Sequence, residues 1–99
     1  MHKILYSNQA YIDLEEAISY ISKESSRNAF EYLSRYENKI ELLKLNPNMG
    51  NNCKNKNIKK SCKILVHESH IIVYKVIKSK KEIFIIRIFH ASVNYKNKL

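Results

Sequence analysis

Two segments late in the chain, HIIVYKVI at 70–77 and EIFIIRIFH at 82–90, carry apolar side chains at odd and even positions alike. A β-strand turns successive side chains to opposite faces. Strands of this kind therefore need cover on both sides. Only KSKK separates them, enough for a reversal and little else, so they read as an antiparallel hairpin. The fold must supply two covers for one ribbon. Within that ribbon Arg87 interrupts the apolar run and His90 ends it.

The first cover is legible upstream. HKILY at 2–6 reads as a short strand, and Ser7 follows as a helix N-cap, with Asp13 and Glu15 near the positive end of the helix dipole. Ala10, Leu14, Ala17 and Ile21 recur at helical spacing, widened by Tyr11 and Ile18, in a helix ending near Lys23. Ser25 or Ser26 can cap a second helix, in which Ala29, Leu33, Tyr36, Ile40 and Leu43 repeat the pattern. It stops where Asn46 precedes Pro47, because proline disfavours helical geometry in the residue before it. Helices joined by so few residues fold back on each other as an antiparallel pair.

NPNMGNNCKNKN is the one loop expected, and a further strand is expected from Ile58 to Val66. Its Ile58, Cys62, Ile64 and Val66 face one way, and Lys59, Lys63 and Leu65 the other. HES then turns into the hairpin. The order strand–helix–helix–strand–strand–strand implies an α+β domain over 1–99: one antiparallel sheet with the helical pair on one face. The helices cover only that face. Part of the other is left to the chain's own tail, a second copy or a partner.

The chain has 99 residues, room for one small domain. A hydrophobic content of 44% with 27% charged residues is a globular mixture. No apolar run approaches the about 20 residues of a membrane span. The N-terminus lacks the length of apolar sequence that a signal peptide needs, so a cytoplasmic protein is expected. Free thiols are then expected at Cys53 and Cys62, the first in a loop and the second facing a core. A metal set drawn from Cys53, Cys62, His67 and His70 lacks the tight spacing of structural zinc knuckles, and no metal or cofactor is expected.

Charge is uneven. Residues 1–45 hold six basic and seven acidic side chains, and residues 46–99 hold twelve basic against two acidic. A cationic half of this kind suits a polyanion or an acidic partner; compositional drift toward lysine and asparagine produces the same excess.

The single glycine excludes a glycine-rich phosphate loop. What could carry chemistry is a cationic and aromatic set: Lys59, Lys60, Lys63, His67, His70, Tyr74, Arg87, His90 and Tyr95. Metal-free RNA cleavage needs a base, an acid and a cation for the crowded phosphate. His or Tyr suits the proton steps, and Lys63 or Arg87 the phosphate. Without chemistry the same set serves as a docking face. Each member also has a structural role open to it. Arg87 can pair with a carboxylate, and His90 can hydrogen-bond at the strand end. The three lysines can guard a sheet edge, and Tyr74 can fill the core.

Four stretches in order, YSNQAYIDLEEAISYISKES, LKLNPNMG, HIIVYKV and IIRIFHASVN, together resemble the RelE/ParE superfamily of type II toxins, closer to ParE. The resemblance implies a toxin held inactive by a cognate antitoxin whose C-terminal segment wraps it. That segment would supply the missing cover. On the ParE side the implied target is DNA gyrase, and the protein is no nuclease. On the RelE side it is messenger RNA on the ribosome, cut by an endoribonuclease whose catalytic set would map to Lys63, Arg87, His90 and Tyr95. Lys59, Lys60, Lys63 and Arg87 are the implied target- or antitoxin-binding residues. An inactive basic binding module is the third reading.

Overall fold

The computed structural model describes residues 1–53 and 62–91. Strand β1 (Lys3–Tyr6) leads into helices α1 (Asn8–Glu24) and α2 (Ser26–Leu45), followed by β2 (Asn51–Asn52), β3 (Lys63–His67), β4 (His70–Ile77) and β5 (Glu82–His90), with a single 3-10 turn at Lys78–Lys80 between β4 and β5. The strands form one sheet in the order β1-β5-β4-β3-β2.

The helices start and stop as their caps dictate. Ser7 accepts a hydrogen bond from the Ala10 amide, Ser25 accepts one from Asn28, and Asn46 closes α2 before the proline. The stripe read from spacing is buried in α2 at Ala29, Tyr36, Ile40 and Leu43, with Tyr32 added. In α1 only Ala10 is fully buried; Leu14, Ile18 and Ile21 pack partly and Tyr11 is exposed. These helical residues meet Leu65, Ile72, Tyr74, Ile83, Ile85 and Ile88 from one face of the sheet in the main core. The fold is α+β, with two helices on a five-stranded sheet.

Three details differ from expectation. The sheet is mixed, because β1 runs parallel to β5. The helical pair brings the chain back into β2 heading opposite to β1, and three hairpin reversals then return β5 to the direction of β1. Second, the expected loop contains the short strand β2, paired as Asn51–Ile64 and Asn52–Lys63. Third, the described part of β3 begins at Lys63 and includes His67, so the turn is only Glu68 and Ser69, with Glu68 at a φ of 56°. Residues 58–61 of the expected strand lie outside the described residues.

The opposite face carries a second, smaller cluster: Cys62, Val73 and Phe89 are buried, with Cys53, Ile64, Ile71 and Ile86 partly so. Cys62 thus faces a core and Cys53 lies outside the strands, as expected. The expected free thiols are not present: Cys53 and Cys62 form a disulfide with a Cα–Cα distance of 5.4 Å. Spacing in sequence hid the reason. The β2–β3 register, continued by one residue, sets the two cysteines opposite each other, and the Cys53 amide donates to the Cys62 carbonyl at 3.0 Å.

Tyr74, fully buried, ties the loop before β2 to the sheet. Its hydroxyl donates to the Pro47 carbonyl at 2.8 Å and accepts from the Gly50 amide at 3.0 Å. Gly50 is required by this approach, since a Cβ there would sit 2.6 Å from the Ile64 carbonyl oxygen and 2.7 Å from the Tyr74 hydroxyl. Gly50→Ala is expected to destabilise the protein by about 1–3 kcal/mol, the usual cost of forcing extra volume into packed structure. Urea denaturation checks this, and an unchanged midpoint would contradict it.

Candidate functional site

The edge of β5 poses a local problem. Strand β1 covers it only as far as the Tyr6–Ile85 pair. Beyond that point the backbone groups of Ile86 and Ile88 need other partners. The start of α1 supplies them. The Ser7 amide donates to the Ile85 carbonyl at 3.0 Å, and the Ser7 hydroxyl donates to the Ile86 carbonyl at 2.7 Å while accepting from Ala10. One turn on, the Asp13 carboxylate accepts from the Ile88 amide at 2.9 Å. A helix side chain thus completes the ladder where the parallel strand ends.

Arg87 belongs to this join. Val73 pairs with Arg87 and Tyr74 with Ile85, so Ile86 is an extra residue and β5 is bulged there. Strict alternation would place Arg87 beside Ile83 and Ile85, in the main core. The bulge turns it to the other face, beside Phe89, whose ring lies 4.6 Å below the guanidinium. From there its Nε and one terminal nitrogen donate to Asp13 at 2.9 and 3.3 Å. The ion pair is unequal in exposure, with side chains 28% exposed for Arg87 and 7% for Asp13. Burial alone would raise the Asp13 pKa. The bonds from Arg87, Ile88 and Gln9 outweigh it, so the carboxyl titrates below its ordinary range. Asp13 is therefore not on the solvated helix face that its sequence position suggests. Nothing in the spacing signalled this, because an aspartate in the second turn of a helix is usually exposed.

At the far end of the sheet three histidines form one row. His67 pairs with His70, and His70 with His90, all toward the helices. The His70 and His90 rings are 5.5 Å apart, edge to face. Tyr32 lies 5.5 Å from both His67 and His70, and its hydroxyl is 2.7 Å from His70 Nδ1. Burial pushes the Tyr32 pKa up to about 12, so the phenol keeps its proton. His67 is buried against Tyr32 and Tyr36, and Nε2 has no hydrogen-bond partner among the described residues. Glu68 Oε2 lies 3.2 Å away but is misaligned for a hydrogen bond, being held by Arg35 through two bonds at 2.9 and 3.1 Å. A cavity of about 400 Å³ opens beside this row between α1 and the sheet, lined by Glu16, Tyr20, His70, Ile88 and His90 among others.

The candidates from sequence do not all converge. Lys63 pairs with Tyr74 on the helix-bearing face, and its ammonium donates to the Asn52 side chain at 2.9 Å. Arg87 registers to the opposite face. His90, exposed, stands in the histidine row, about 13 Å along the strands from the level of Lys63. Lys59, Lys60 and Tyr95 lie outside the described residues. Among the described residues no group of three metal-binding side chains is gathered, and no helix is long and apolar enough to cross a membrane.

A parallel strand and a helical pair closing onto the antiparallel run β2 to β5 define a small α+β class. The family model described as "ParE toxin of type II toxin-antitoxin system, parDE" matches residues 4–95, and the chain belongs to that family. A solved structure titled "Chromosomal ParDE TA system from P. aeruginosa" has the same fold, with a TM-score of 0.69 and 19% identity over 91% of this chain and 96% of that chain. No curated protein matches the sequence.

Two outcomes follow from the electrostatics. Asp13→Ala removes the partner of both the Ile88 amide and Arg87 and is expected to cost about 2–4 kcal/mol. Asp13→Ala combined with Arg87→Met should cost less than the sum of the two single changes in a denaturation cycle; strict additivity would deny the coupling. The second outcome concerns pH. The pKa values of His67 and His70 are lowered, mainly by burial, with neighbouring cations and imidazoles adding to it. The unfolded chain then binds more protons than the folded one below about pH 6.5. Their stabilisation is fully present above that pH and is lost as pH falls toward the folded values. The melting temperature should drop between pH 7 and 5, and His67→Phe should flatten the drop. An equally steep profile in that variant would remove His67 from the account.

Proposed function

We propose that this ParE-family toxin acts in the cytoplasm by inhibiting DNA gyrase, and that a cognate antitoxin neutralises it. Family membership over nearly the whole chain carries the reading. Two features of the molecule support it.

The first is apolar surface without a cover. On the helical pair Phe30 is 71% exposed and Leu45 63%, and Tyr11, Leu14, Ile18 and Leu33 line a groove between α1 and α2. On the sheet Val66 is 57% exposed. An extended antitoxin segment that crosses both elements would bury these groups. The groove lies on the helical pair; the sheet face expected from sequence to need a partner is buried at Val73 and Phe89 and open at Val66.

The second is charge. The residues after Asn46 carry the whole excess of positive charge, which suits an acidic partner or the DNA held by a topoisomerase. Lys63, with Lys59 and Lys60 in the adjoining sequence, is the proposed contact of this half. Arg87 contributes through its place in the β5 join, so its loss is expected to weaken fold and toxicity together.

Expression of the intact chain should arrest bacterial growth, and co-expression of its cognate antitoxin should restore it. Purified toxin should block supercoiling by gyrase. Lys63→Ala should weaken toxicity at a stability cost of about 0.5–1.5 kcal/mol, the usual worth of one lost hydrogen bond, here the bond from half-buried Lys63 to Asn52. Growth arrest with unaffected gyrase, together with messenger RNA cut only on ribosomes, would replace gyrase by the ribosome as the target. Unimpaired toxicity of Lys63→Ala would remove that lysine from the contact surface.

A further inference from the structure

A disulfide in a chain read as cytoplasmic needs a reason, because disulfides in that compartment are transient or redox-sensing. The pair Cys53–Cys62 closes a short loop, with a sequence separation of 9. The stabilisation a cross-link gives grows with the logarithm of loop length, so a loop this short gains less protection against reduction than a long one. Cys53 is only half-buried, so a small thiol can reach the bond.

The bond also sits where it changes the molecule. Strand β2 has two residues and joins β3 by two pairs, helped by the Lys63–Asn52 hydrogen bond. Next along this ladder is the disulfide. Both sulfurs belong to the second apolar cluster, with Val73 and Phe89. The eight residues between the two cysteines in sequence include four lysines and no acidic residue.

We infer that Cys53 and Cys62 are a redox-responsive pair that clamps the β2 edge against β3 when oxidised and loosens it when reduced. The oxidant is a low-molecular-weight disulfide such as oxidised glutathione. One cysteine thiolate attacks it to form a mixed disulfide and releases one glutathione thiolate. The second cysteine thiolate then attacks the mixed disulfide at the protein sulfur and releases another. Two cysteine thiols lose two electrons and two protons, and two molecules of reduced glutathione carry them away. This inference does not depend on gyrase being the target.

The test uses the full chain, equilibrated in buffers of graded reduced-to-oxidised glutathione ratio, quenched in acid and alkylated for intact mass. The expected result is one transition between a form with no alkylated thiol and a form with two, inside the series. Across it, the amides of Cys53 and Ile64, which face each other's strand, should exchange about tenfold faster in the reduced form, while those of Ile83 and Ile85 keep their rates. Cys53→Ser with Cys62→Ser should exchange like the reduced parent whatever the buffer. If that variant does not fold, the parent titration still decides. Two alkylated thiols at every ratio would overturn the inference. So would none at the most reducing ratio, which marks a purely structural bond, or a transition that leaves the edge amides unchanged.

Discussion

The Asp13 carboxylate holds together the two parts of this fold that sequence leaves apart. It accepts the Ile88 amide, where β1 no longer reaches, and it takes two hydrogen bonds from Arg87. A β-strand edge inside a protein cannot be left with unpaired backbone groups. The usual remedy is another strand. Here a four-residue β1 covers only the first half of a nine-residue β5, and the first two turns of α1 complete the pairing. The helix is thereby locked to the sheet at a set angle and height. That position lets α1 and α2 bury Ile72, Tyr74, Ile83, Ile85 and Ile88 beneath them.

The bulge at Ile86 is the other half of the same arrangement. Without it, Arg87 would project into an apolar core at a large desolvation cost. With it, the guanidinium reaches the sheet edge over Phe89, and Ile88 resumes the core-facing series. One extra residue thus turns a disruptive cation into a clamp.

Local patterns were legible in the sequence wherever they had a strong period or a cap. Ser7, Ser25 and Asn46 mark the helix ends, and β4 and β5 run over the residues expected. The sheet's mixed sense was hidden because it depends on the parity of reversals and not on any residue. The Ile86 bulge was hidden by the apolar run itself: when both faces are greasy, a change of phase leaves no trace in the pattern. Asp13 and the cysteine pair were hidden because their partners lie 74 residues away in one case and across an unrecognised two-residue strand in the other. Arg87 drew notice as a candidate for phosphate or partner binding, and its neighbours assign it to the join between α1 and β5. Lys63, from the cationic half, is half-buried, and its only described side-chain bond is to the amide oxygen of Asn52.

The claim that a carboxylate stands in for a missing strand is tested most directly by the exchange of the Ile88 amide with solvent, followed by NMR from pH 7 to pH 3. At neutral pH it should exchange as slowly as the Ile83 and Ile85 amides, which lie under β1. As Asp13 takes up a proton below its lowered pKa, Ile88 should lose protection before those two do. An Ile88 amide that exchanges freely at pH 7, or one whose protection ignores the titration of Asp13, would contradict the account.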